Sequence, residues 1–196
     1  MTLTVVGPIQ TRTSRVLWCL EELRVPYERV DAAPHSPDVD ALNPLRQVPI
    51  LRDGDQVFTD SIAILFHLAD KFGALTYPLG TPERTRMMAR INFLLTEIEA
   101  HLWLRSRHTY VLPETARIAE ASDIAAADFR LAEPKFSMLL GDSEFFGGDA
   151  FTIADIVATH CLVWATNVGF GPLSENSANY RDRMNSRPAW IASRRD

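Results

Sequence analysis

Apolar positions recur with two different periods along this chain, and the change falls near residue 75. Leu3-Thr4-Val5-Val6 is a short run rich in β-branched residues, closed by Gly7-Pro8, and predicts a strand. Val16, Leu20 and Leu23 then recur at i, i+4 and i+7 among Glu21, Glu22 and Arg24. That spacing predicts an amphipathic helix of about three turns, stopped by Pro26. Tyr27–Val30 reads as a second strand, and the proline-rich Ala33–Leu45 as loop with one helical turn. Val48-Pro49-Ile50-Leu51 reads as a strand that carries a proline, a residue confined to sheet edges and special positions. Asp53-Gly54 turns the chain back into Gln56-Val57-Phe58-Thr59. Asp60-Ser61 then precedes Ile62, Ile64, Leu65, Leu68 and Ala69, a helix with a ready N-cap and Gly73 placed to end it.

Beyond that point the period is helical throughout. Gly80-Thr81-Pro82-Glu83 starts a helix with proline at its first position, and Met87, Ile91, Leu94, Leu95, Ile98 and Leu102 form one stripe. A second helix is expected within Ile118–Leu140 on the spacing of Ile124, Ala127 and Leu131, before Gly147-Gly148. Thr152-Ile-Ala-Asp155 has the spacing of a capping box, with Phe151 placed to staple onto Ile156. Ser174–Met184 predicts a further helix, and Pro188 starts a short last one. The sequence therefore divides into an α/β domain over 1–75 and an all-helical domain over 82–196, with Ala74–Gly80 as linker.

Composition narrows the function classes. With 46% hydrophobic and 23% charged residues the chain is of ordinary globular make-up, which excludes a disordered or collagen-like protein. The net charge of −5 and the lack of any Lys/Arg run argue against a nucleic-acid partner. Cys19 and Cys161 form no CxxC and no metal-spaced cluster, so buried thiols and no metal are expected. The N-terminus lacks a basic region followed by an apolar one, and Ile153–Phe170 is interrupted by Asp155, His160 and Asn167. A soluble cytoplasmic protein without a membrane partner is the expectation.

Four segments carry a family resemblance: Thr11-Arg-Thr-Ser-Arg-Val-Leu-Trp-Cys-Leu-Glu-Glu-Leu-Arg-Val-Pro-Tyr-Glu28, Asn43-Pro-Leu-Arg-Gln-Val-Pro-Ile-Leu51, Asp60-Ser-Ile-Ala-Ile64 and Phe151-Thr-Ile-Ala-Asp155. In order and spacing they resemble the cytosolic glutathione S-transferases, with a bacterial, serine/threonine-type active turn. The resemblance implies a thioredoxin-like N-terminal domain that binds glutathione. It also implies an all-helical C-terminal domain that lines a second-substrate pocket between the domains, and a homodimer with a role in detoxification. It makes the Val48–Pro49 bond cis, against the ordinary trans preference, so that Val48 pairs with the cysteinyl part of glutathione as an added strand does.

Asp60-Ser61 has two compatible readings. Either residue caps the helix, and a helix N-terminus also holds an anion. The resemblance places the γ-glutamyl carboxylate on Ser61 and the γ-glutamyl ammonium on Asp60, with Gln47 as a further contact. A free thiol of pKa ~8.5 is only slightly ionised at neutral pH. One hydrogen bond to the charged form, about 1.5–3 kcal/mol, plus a helix N-terminus, about 0.3–2 kcal/mol, suffices to ionise it. Relatives use Tyr, Ser or Cys in this turn. Here Thr11 stands where serine-type members carry the hydroxyl, and Ser14 is the second catalytic candidate. Arg12 and Arg15 lie beside them, Arg15 being expected to face solvent. Trp103, Arg107, His108 and Tyr110 are the candidates for the second substrate.

The function implied is transfer of the glutathione thiolate to a small hydrophobic electrophile, with glutathione as co-substrate. The alternatives are a glutathione-dependent peroxidase and a non-catalytic glutathione transferase-like binding protein.

Overall fold

A computed structural model of the chain describes residues 2–195. They divide into two units: residues 2–78 together with 185–195, and residues 79–184. The first boundary falls in the expected linker. The C-terminal boundary differs from the expected 82–196, because the last helix belongs to the first unit.

The first unit is built on a four-stranded sheet of order β2-β1-β3-β4, formed by β1 (Leu3–Val6), β2 (Tyr27–Val30), β3 (Ile50–Asp53) and β4 (Gln56–Thr59). β1 runs parallel to β2, with Leu3 opposite Tyr27, and antiparallel to β3, with Val6 opposite Ile50. β3 and β4 form the hairpin. The parallel pair needs a crossover, which α1 (Thr13–Leu23) supplies. α1 packs against α3 (Ser61–Phe72), whose Ile64, Leu65, Leu68 and Ala69 are buried. A short helix α2 (Pro37–Asp40) lies in the irregular segment, and its Val39 joins Val6, Ala32 and Ile50 in one cluster, with Val48 packed against it.

Trp18 on α1 is wholly buried, and its indole N–H donates to Glu22 Oε1 at 2.9 Å. Arg187 donates to both Glu22 oxygens, at 2.7 and 2.9 Å, and the Trp190 ring stands edge-on to Trp18 with centroids 4.8 Å apart. This paired arrangement fixes α9 (Pro188–Ala192) to α1. A bidentate guanidinium–carboxylate pair and an aromatic contact are both directional, so the short helix has one place to sit.

The second unit begins at Thr81, whose side chain accepts from the Arg84 N–H, with Pro82 in the first turn of α4 (Pro82–Phe93). The helical path continues through a wider π-helical stretch (Leu94–Glu99), α5 (Ala100–Ser106) and a second π-helical stretch (Arg107–Val111). Met87, Ile91, Leu94, Ile98 and Leu102 are buried as the stripe predicts, while Leu95 is half-buried. α6 (Ala121–Leu140) starts three residues later than the expected segment.

The spacing used to predict α6 belongs to its outer face. Ile124 is 53% exposed and Leu131 72%, with Ala127 exposed beside them. The buried face is Ala121, Ala125, Phe129, Ala132, Phe136 and Leu140. Both faces satisfy a helical period, and the small alanines let α6 approach α5 closely, which the period alone does not reveal.

α7 (Ile153–Asn167) opens with the expected capping box. The buried Asp155 carboxylate accepts from the Thr152 N–H and hydroxyl, from the Phe146 N–H and from the Tyr180 hydroxyl on α8 (Glu175–Asn185). Burial pushes its carboxyl up from the ordinary value, and those four donors oppose the shift. Cys19 and Cys161 are both buried, and neither is in a disulfide. Among the described residues no helix is long and apolar enough to cross a membrane.

Candidate functional site

The loop between β1 and α1 carries the first part of the site. Gly7 has φ +138°, outside the range an L side chain adopts readily. A Cβ there would lie 2.3 Å from Thr13 Oγ1 and 2.9 Å from Val48 Cβ. Only glycine admits both neighbours, and through it the start of α1 meets the loop before β3.

At the start of α1 the Thr11 hydroxyl donates to the Pro8 carbonyl at 2.7 Å. It shares a 2.8 Å hydrogen bond with the Thr13 hydroxyl and accepts from the Thr13 N–H at 3.2 Å. Arg12, the residue before the helix, makes no side-chain cap, so the Thr11 side chain does that work for the Thr13 N–H. With its own proton on Pro8, Thr11 Oγ1 accepts from Thr13 Oγ1. Ser14 is buried, and its hydroxyl donates to the Thr11 carbonyl at 2.9 Å. The structure thus puts Ser14 in the opening turn of the helix and leaves Thr11 half-buried at its tip.

The second part is the segment before β3. The Val48–Pro49 peptide bond is cis. Val48 is half-buried, and the ladder with β1 begins two residues later, at Ile50. Buried Asn43 organises this loop: its Nδ2 donates to the Gln47 carbonyl at 2.9 Å, and its Oδ1 accepts from the Leu45 N–H at 3.0 Å. Gln47 itself is exposed.

The third part is the start of α3. Asp60 is exposed, has φ +67°, and its Oδ1 accepts from the Ile62 and Ala63 N–H groups at 2.8 and 3.1 Å. A non-glycine residue in this region costs on the order of 1–3 kcal/mol, and such positions cluster at ligand sites. Ser61 is buried, and its hydroxyl accepts from Arg15 Nη1 at 3.2 Å.

That contact corrects the expectation for Arg15. It is 1% exposed and does not face solvent. Its guanidinium runs inward from α1 to α3 and holds the Ser61 oxygen, which leaves the Ser61 proton to point elsewhere.

The three parts come together within the first unit. Gly7 brings Thr13 to Val48, and Arg15 brings the first turn of α1 to the first turn of α3. Two helix N-termini thereby contribute positive partial charge to one region. Thr13, Arg15 and Asn43 do positioning work that the sequence reading had not given them. Asn43-Pro44 was a legible turn signal, whereas a buried arginine next to a helix start carries no local mark.

The second-substrate candidates lie in the other unit. Trp103 is on α5, and Arg107, His108 and Tyr110 are in the π-helical stretch that follows. His108 Nδ1 accepts from the Ile118 N–H at 3.1 Å, which is a structural role. Arg107 is exposed, and Tyr110 is 60% exposed.

Comparison with known proteins gives concordant results. Residues 12–71 match the family model of the glutathione S-transferase N-terminal domain, and residues 97–188 that of the glutathione S-transferase C-terminal domain. The chain is 30% identical over 200 residues to glutathione S-transferase GstB of Escherichia coli strain K12, covering 91% of this chain and 90% of that protein. It is 32% identical over 162 residues to bovine glutathione S-transferase theta-1, covering 74% of this chain and 65% of that one. Among solved structures, the theta-class glutathione S-transferase of Xanthomonas axonopodis pv. citri with glutathione bound superposes with TM-score 0.80 at 22% identity, over 98% of this chain and 96% of that one. Ure2p in complex with glutathione does so with TM-score 0.85 at 20% identity, over 98% and 93%.

Proposed function

The chain belongs to the glutathione S-transferase family, and from that premise we propose that it binds glutathione on its first unit and transfers the glutathione thiolate to a small hydrophobic electrophile. The observation that carries this reading is the joint placement of Thr11, Val48 and Ser61 around the two helix starts. The Val48 main chain lies ahead of the β1–β3 ladder, where an extended cysteinyl segment adds as a strand does. The Ser61 proton, released by the Arg15 contact, donates to the γ-glutamyl carboxylate. The outer oxygen of Asp60 takes the ammonium, and Gln47 contacts the tripeptide from the exposed loop.

Thr11 acts on the sulfur. On binding, its hydroxyl turns from the Pro8 carbonyl to the thiolate, while the Thr13 hydroxyl and N–H continue to donate to Thr11 Oγ1. A hydroxyl that accepts hydrogen bonds donates more strongly, so Thr13 is a positioning residue for the same step. Ser14, held on the Thr11 carbonyl, keeps the turn in shape. The thiol proton leaves to solvent. The sulfur then forms its bond to the electrophilic carbon, and the displaced group departs with its electron pair. The electrophile's subsite is proposed at Trp103, Arg107, His108 and Tyr110.

The reading extends to a cytoplasmic homodimer. Ile124, Ala127, Leu131, Pro134 and Met138 form one exposed apolar stripe on α6, and a second copy of this chain is the proposed cover. Binding without turnover is the competing reading, and it rests on the Thr11 hydroxyl staying on Pro8. A peroxidase would use the same thiolate.

Calorimetric titration with glutathione, of the wild type and of Ser61→Ala, tests the core of the proposal. Micromolar to millimolar binding is expected, with a loss of at least tenfold, about 1.4 kcal/mol, in the variant. The absence of any binding heat from the wild type refutes it.

A further inference from the structure

Glutathione carries two carboxylates, one on its γ-glutamyl end and one on its glycyl end. The strand register says where the second falls once the first is on Ser61. Ile50 pairs with Thr59, and Ser61 follows two residues later, so the γ-glutamyl end runs from Val48 toward β3. The carboxyl end runs the opposite way, past Gln47 toward Arg46. An extended residue spans about 3.3–3.6 Å, so a glycyl carboxylate one residue beyond the cysteinyl group reaches the Gln47–Arg46 stretch.

The segment it meets is acidic. Residues 31–47 hold Asp31, Asp38 and Asp40 against Arg46, a net charge of −2 with His35 neutral. Arg46, moreover, is already engaged. Its Nε donates to Asp40 Oδ1 at 2.8 Å and its Nη2 to Asp40 Oδ2 at 2.6 Å, a bidentate pair. Its main chain is held as well. The Arg46 N–H donates to the Asn43 carbonyl at 2.8 Å, and the Arg46 carbonyl accepts from the His35 N–H at 3.1 Å. Arg46 has φ +59° and His35 φ +65°, so two non-glycine residues in left-handed backbone close this loop on itself. The hydrogen bonds from Arg46 hold the Asp40 carboxyl below its ordinary value, so the pair stays ionised at neutral pH. A glycyl carboxylate that took Arg46 would strip Asp40 of its cation, and exchanging one carboxylate for another yields little. With Arg46 left on Asp40, the pair presents almost no net charge to the incoming group.

We propose that Asp40, by holding the Arg46 guanidinium, makes the carboxylate at the C-terminal end of the thiol peptide dispensable, so that the protein takes γ-glutamyl-cysteinyl thiols with a neutral C-terminus as readily as glutathione. The proposal rests on the reading of the first unit as the glutathione site. Asp40 sets specificity through Arg46 and does not touch the reacting atoms.

The test is calorimetric titration, at low salt and neutral pH, with glutathione and with its glycyl amide, in which an uncharged carboxamide replaces the carboxylate. The wild type is expected to bind the two within threefold of each other. Asp40→Asn keeps the shape of the side chain and removes its charge. It is expected to tighten glutathione at least fivefold and to leave the amide unchanged, because only the acid gains from an unopposed guanidinium. Asp40→Asn/Arg46→Gln is expected to lose that gain. A change in loop structure alone moves both ligands together, and thermal melting checks that each variant is folded. A wild type that prefers glutathione to the amide by more than threefold overturns the proposal. So does an Asp40→Asn variant that changes both ligands equally or neither. Those results leave the glutathione site standing, whereas a wild type that binds neither ligand removes the site and the proposal with it.

Discussion

Replacing Thr11 by valine removes one hydroxyl and keeps the branched shape. The hydroxyl that leaves now donates to Pro8 at 2.7 Å, and its oxygen receives the Thr13 hydroxyl and N–H. In the proposed glutathione complex that hydroxyl faces the sulfur. A hydrogen bond to a charged group contributes about 1.5–3 kcal/mol, and one pKa unit corresponds to about 1.36 kcal/mol. On the proposed role, Thr11 is expected to lower the bound thiol by roughly 1–2 units from its free value of ~8.5. Because the bond favours the thiolate, losing it raises the pKa. The thiolate fraction then falls at neutral and lower pH and recovers above the raised value. The pKa of bound glutathione is read from ultraviolet thiolate absorbance against pH. In Thr11→Val it is expected to rise by roughly 1–2 units, and kcat/KM near pH 6.5 to fall about 10–100-fold, converging on wild type in alkali. Valine also strands the Thr13 donors, at about 1–3 kcal/mol of stability, so melting is measured alongside. Thr11→Ser retains the oxygen and is expected to keep the wild-type profile. An unchanged thiol pKa in Thr11→Val refutes the role of Thr11.

Gly7→Ala drives a methyl against Thr13 and Val48 at a positive φ. It is expected to cost about 2–5 kcal/mol in urea unfolding and to weaken glutathione binding. Asp53 is held below the ordinary carboxylate range by its hydrogen bonds to Lys71 and His67, the latter at 3.1 Å. Its folded value is depressed, so its contribution is complete above the unfolded value, ~3.9, and is lost as pH falls through the folded value. Asp53→Asn is accordingly expected to be less stable than wild type at pH 7, with the gap closing in acid. A gap that does not change with pH contradicts the assignment. Leu131→Glu or Met138→Glu places a charge on the apolar stripe of α6, and sedimentation is expected to show a dimer in the wild type and a monomer in the variant. A wild type that sediments as a monomer removes the basis for that interface.

The elements of this protein were legible because their signals are local. β1, β2 and the β3–β4 hairpin follow from short apolar runs and Asp53-Gly54, and α3 follows from Asp60 before an apolar period. The capping box of α7 is written within four residues, Thr152 to Asp155. Family motifs singled out Thr11, Val48, Pro49 and Ser61, since each belongs to a segment with its own pattern.

What only the tertiary structure decided concerns residues whose partners are far away in the chain. From sequence alone Arg15 is a charge expected to face solvent. It is buried because Ser61, 46 positions later, offers an acceptor. Arg187 and Trp190 join the first unit through Glu22 and Trp18, 165 positions away for the Arg187–Glu22 pair. Either outer or inner face of α6 satisfied its periodicity, and packing against α5 selected the alanine face. A sequence reports propensities over a few residues. Burial of a charge or the choice of a helix face is fixed by what arrives from elsewhere, since those energies arise only when both partners are in place.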